Sequence, residues 1–151
     1  MNLTTFIYIV GALFAGVLIP IQTGYNTQLA KAMHGPMISV LAVYVIGLTF
    51  MLFVALLTRT PIPTAAQVVE APRLAWFAGG ILSALYVVLL VLLAPRLGAA
   101  TTVAFVVAGQ IVCSIVIDHY GLLGFPEHLA SPQRLAGLAL IAAGVALVRI
   151  F

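Results

Sequence analysis

The charged residues of this chain are confined to the gaps between long apolar runs, and that placement leaves few folds open. Lys31, Arg59, Glu70, Arg73, Arg96, Asp118, Glu127, Arg134 and Arg149 sit at or near the breaks of an otherwise oily sequence. Charge makes up 6% of the chain and hydrophobic residues 64%, against about 25% charge in soluble globular domains. So few polar side chains cannot cover a water-exposed surface. The chain is built for lipid.

Crossing the hydrocarbon takes about 20 apolar residues in a helix that rises about 1.5 Å per residue. Residues 5–29, 36–57, 74–94, 97–117 and 132–150 satisfy that length. A membrane barrel strand would instead alternate apolar and polar positions over about ten residues, and runs such as 81–93 do not alternate. The sequence therefore predicts an all-α integral membrane protein of five transmembrane helices in one domain, residues 1–151. The first apolar run has no Lys or Arg before it and exceeds the about 7–15 residues of a signal peptide core. It is expected to stay as the first helix.

Other function classes find little support. The six basic residues are scattered over separate loops and form no nucleic-acid patch. His34, His119 and His128 lie outside the spans and lack the spacing of metal ligands on one helix. The chain has no P-loop, no Gly-x-Ser-x-Gly and no paired carboxylates, so no enzyme chemistry, metal or cofactor is expected. Its single cysteine, Cys113, excludes an intrachain disulfide.

Several local signals punctuate the helices. Pro20, flanked by Gly16 and Gly24, predicts a kink or local unwinding, since proline removes a backbone donor and crowds the carbonyl four residues back. Pro95 is expected to end the third span, with Arg96-Leu97-Gly98 turning directly into the fourth. Residues 64–70 read as a short amphipathic piece, and Ser131-Pro132 as an N-cap followed by proline at the first helical position. In the second span only Tyr44 and Gly47 stand out from the apolar background.

Taken in order, Pro20-x-Gln22-x-x-x-Asn26, Gly79-Gly80, Leu97-Gly98-Ala99-Ala100, Ala108-Gly109-Gln110 and Asp118-His119-Tyr120-Gly121-Leu122-Leu123-Gly124 resemble a small bacterial branch of the drug/metabolite transporter superfamily, the YdcZ type. The final stretch from Arg134 through Gly137 to Gly144 is similar to the last helix of small multidrug resistance proteins. The resemblance covers most of the chain. It implies a multi-pass protein of the bacterial inner membrane forming half of an inverted-repeat transporter. Such a protein would move a small metabolite or drug-like solute by alternating access, as a dimer around a central cavity. The alternative is a non-transporting structural or assembly subunit of a membrane complex.

The polar residues within the spans are the candidates for a substrate cavity. Gln22 and Asn26 are one turn apart on one helix face, and Ser83 and Tyr86 are similarly close on the third span. On the fourth, Gln110, Ser114 and Asp118 form a narrow polar stripe. An amide in hydrocarbon is costly unless hydrogen-bonded. Each of these residues therefore serves either a cavity or interhelical packing. Asp118, the only acid near a span, is a possible coupling group. Small multidrug resistance proteins carry a Glu in the middle of helix one, and residues 5–29 here contain no acid. That departure favours a neutral or zwitterionic solute over a cation exchanged for protons.

Gly137 and Gly144, seven residues apart, mark a small-residue face suited to a dimer interface. Orientation is almost unbiased: Arg59, Arg73 and Arg134 fall on the side of the N-terminus, and Lys31, Arg96 and Arg149 on the other. The expected partners are the lipid bilayer, a small-molecule substrate, and a second copy in antiparallel orientation or an oppositely oriented paralogue.

Overall fold

A computed structural model of the chain describes residues 2–150, and all their regular structure is helical. The long helices are α1 (Leu3–Ala32), α2 (Pro36–Leu57), α4 (Arg73–Leu97), α5 (Ala99–His119) and α6 (Pro132–Ile150); α3 (Ala65–Glu70) is a short helix in the α2–α4 connection. These five long helices are each apolar enough to cross a membrane. At 30 residues, α1 exceeds the about 20 that a bilayer core requires.

Pro20 brings no unwinding, and Pro95 does not end its helix. The helical geometry of α1 runs through Pro20 with no unwound segment. Likewise α4 passes Pro95 and ends at Leu97. Its terminator is Gly98, at φ +85°, a region that glycine enters without steric cost. The fourth span accordingly starts at Ala99 rather than at residue 97. The N-terminus of α3 is a capping box: the Thr64 hydroxyl accepts from Gln67 N–H at 3.4 Å, and Gln67 Oε1 accepts from Thr64 N–H at 2.9 Å.

The chain divides into two compact units, one taking in the sequence up to Pro20 and from Leu97 onward, the other Ile21–Arg96. In the second unit, Val40 of α2 packs with Val87 and Val91 of α4, and Ala30, Tyr86 and Val88 border this cluster. In the first, α5 packs along α6, and the connection between them is tightly bonded. Large apolar side chains such as Leu13, Phe14, Leu56 and Leu140 are exposed on the span surfaces. In lipid that carries no penalty, since the solvent is as apolar as the side chains.

Candidate functional site

The second unit holds an apolar cleft of about 430 Å³ with a few polar groups set into it. Its lining comes from α1 (Gln22), from one face of α2 (Tyr44, Gly47, Met51 and neighbours) and from α4 (Ser83, Val87). The spacing 44, 47, 51 is that of a single helix face. Tyr44 OH and Ser83 Oγ are 2.7 Å apart, joining α2 to α4. At Gly47 a side chain would meet no atom within 4 Å, so the missing Cβ leaves open space. An apolar concavity with a small set of placed donors and acceptors is the general form of a small-molecule site.

The candidate residues divide between this cleft and other places. Gln22 and Ser83 both line it. Asn26, one turn beyond Gln22, is 6% exposed and buried in the protein, off the cleft wall. Tyr86 packs beside the Val40–Val87–Val91 cluster, and its hydroxyl is buried without a hydrogen-bond partner. On α5, Gln110 and Ser114 are exposed, and neither lines the cleft. Gly16 and Gly24 on α1, and Gly137 and Gly144 on α6, each have open space where a Cβ would stand.

Asp118 is engaged elsewhere. Its carboxylate pairs with the Arg134 guanidinium at 3.2 Å, and the same Nη1 donates to the His128 carbonyl at 3.3 Å. His128 N–H donates to the Asp118 carbonyl at 2.7 Å, and Ala130 N–H to His119 Nδ1 at 3.1 Å. Ser131 Oγ accepts from Arg134 N–H at 3.3 Å, the cap expected before Pro132. Asp118 and Arg134 thus close the α5–α6 connection on itself. Any proton-coupling role for Asp118 would require that pair to open.

Two groupings escaped the reading of the sequence alone. Tyr44 and Gly47 were visible as interruptions of an apolar helix, but nothing in the sequence joined them to Ser83. The Asp118–Arg134 pair had a signal as well, an acid ending one span and a base in the first turn of the next.

Five long helices apolar enough to cross a membrane, three of which line a sparsely polar cleft, are the architecture of a multi-pass membrane protein. The chain belongs to the family described as "Putative inner membrane exporter, YdcZ", which matches residues 7–147. None of the curated proteins and none of the solved structures compared with the chain matches it. Membership places it in the inner membrane, in a family whose description is of export rather than of enzyme chemistry.

Proposed function

We propose that the chain moves a small neutral or zwitterionic solute out across the inner membrane, and that the cleft of α1, α2 and α4 forms part of its path. The observation that carries this reading is the Tyr44–Ser83 hydrogen bond at 2.7 Å, set in an apolar cleft beside Gln22 and the space left by Gly47. Hydroxyls and an amide recognise a solute by hydrogen bonds, and the lining residues carry no charge. Five helices supply one half of the enclosure, and a second copy supplies the other. Gln110 supports the dimer: it lies midway along α5, exposed, and its side chain bonds no other described residue. In hydrocarbon such an amide needs a partner from another chain. Opposite orientation of the two copies accords with the even distribution of Lys and Arg, and alternating access follows from rocking one half against the other.

Purified protein in liposomes, screened for flux of neutral and zwitterionic metabolites, tests the reading. Flux that falls at least about tenfold in Gln22→Leu, with unchanged helix content, is the expected result; about 1.4 kcal/mol of lost recognition is enough for it. A Gln22→Leu protein transporting at the wild-type rate would remove the cleft from the path. Wild-type protein that moves none of the solutes screened would favour the non-transporting subunit.

A further inference from the structure

A second cleft, of about 340 Å³, lies in the same unit where α1 turns into α2 and α4 ends. Lys31 from the last turn of α1, His34 from the turn and Arg96 from the last turn of α4 all line it. Among the described residues none of the three is ion-paired, and Glu70 is the only acid in this unit. Basic residues in a final helical turn offset the negative end of the helix dipole. That effect explains why Lys31 and Arg96 each sit near a helix end. It does not explain why their side chains share one cleft with a histidine.

Two further features point to a ligand. Thr27 lines the same cleft, and its Oγ1 is buried without a hydrogen-bond partner; a buried hydroxyl in that condition calls for an acceptor. His34 stands at φ +54° at the end of a Schellman turn, where glycine is usual. There Gly35 N–H bonds the Ala30 carbonyl at 3.1 Å and His34 N–H the Lys31 carbonyl at 3.3 Å. Holding a non-glycine residue in that conformation is strained, and it fixes the imidazole's starting point beside the two cations. Val91 and Leu92 supply an apolar wall.

We propose that this cleft binds a phosphate oxyanion, with Lys31 and Arg96 as the charge partners, Thr27 as a hydroxyl donor and the Val91–Leu92 wall for any attached chain. Clefts lined by one sign of charge concentrate counter-ions. Basic pockets at span ends suit phospholipid headgroups, and a water-borne phosphate presents the same chemistry. The site is separate from the Tyr44–Ser83 cleft and does not depend on its role.

The test uses the full-length protein. Retention of phosphatidylglycerol against phosphatidylcholine is measured by native mass spectrometry, and binding of inorganic phosphate by calorimetry in phosphatidylcholine nanodiscs. Preferential retention of phosphatidylglycerol that falls about 30-fold in Lys31→Gln/Arg96→Gln, at about tenfold per 1.4 kcal/mol and about 1 kcal/mol per basic residue, supports a lipid ligand. Phosphate binding with the same loss in that variant supports a soluble one. Lys31→Arg/Arg96→Lys must retain either signal. Thr27→Val, which alters no charge, must weaken it several-fold, and this decides the matter if the double variant does not fold. Absence of both preferences overturns the site, as does an equal loss on removing the same charge elsewhere with Arg59→Gln/Arg73→Gln.

Discussion

The α5–α6 connection and the clefts of the Ile21–Arg96 unit treat polar groups in opposite ways. In the connection, Asp118, His119, His128, Ser131 and Arg134 all find partners within a segment of chain shorter than one span. In the clefts, the Gln22 side chain bonds no described residue, Thr27 Oγ1 is buried without a partner, and only Tyr44 and Ser83 are joined. A membrane protein cannot leave polar groups open in hydrocarbon for nothing, because each one costs stability. The connection is finished as it stands, and so it reads as scaffold. The clefts keep polar groups open, and the solute and phosphate proposed for them would supply the missing partners.

The harshest way to break this contrast is to fill a cleft. Glycine in a helix interior is about 0.5–1 kcal/mol worse than alanine, yet Gly47 is surrounded by open space that would admit a side chain. Gly47→Phe is expected to fold, to keep its helical circular dichroism, and to lose more than about tenfold of the solute flux. Gly47→Ala should melt slightly higher than wild type. If Gly47→Phe transports normally in liposomes, the cleft is an inert gap between helices.

The next effect concerns association. At Gly144 an added Cβ meets nothing within 4 Å in its own chain, so the monomer tolerates a larger residue. The consequence of Gly144→Leu is then expected between chains, where small residues allow close approach of helices. The expected result is a shift from dimer to monomer in detergent by analytical ultracentrifugation, with the thermal melt unchanged. Gly137→Leu should act in the same direction. A dimer unaffected by either change would put the interface elsewhere and leave Gln110 as the better guide to it.

How much of this was legible follows from the length of the contacts involved. The spans were readable because each is a local run of apolar residues, and the short α3 and the Ser131 cap because their signals lie within a few positions of each other. Pro95 misled. It looked like the end of the third span, but α4 continues past it to Leu97, and Gly98 supplied the true stop. The Tyr44–Ser83 pair spans 39 positions, and no local pattern encodes such a distance. Lys31, His34 and Arg96 read as three separate loop charges until the fold placed them around one cleft.

A moderate effect belongs to the finished region. Arg134→Met removes the partner of a carboxylate that is only 29% exposed and the donor to the His128 carbonyl. The partly exposed pair and its hydrogen bond together are expected to contribute about 1–2 kcal/mol, read as a melting temperature lower by a few degrees. Solute flux at a temperature where the variant stays folded should remain near wild type. Flux lost without a change in melting would move Asp118 and Arg134 from scaffold to mechanism.

The smallest effect is also the most discriminating, because it sits where the two kinds of polar group meet. Tyr44 and Ser83 bond each other, as a scaffold pair would, yet both line the cleft, as solute-binding groups would. Hydrogen bonds between membrane helices are worth about 0.6 kcal/mol on average, so Tyr44→Phe and Ser83→Ala should each lower stability by only about that amount. If the pair is purely structural, the double variant costs no more than either single one, and flux is untouched. If the two hydroxyls also meet solute, each single variant should raise the half-saturating solute concentration about threefold, the shift that 0.6 kcal/mol produces. The double variant should then exceed both, because it removes two contacts with solute in addition to the one between helices. A complete cycle of flux and melting measurements on the four proteins separates these outcomes, since the structural term appears in the melts and the recognition term in the flux alone.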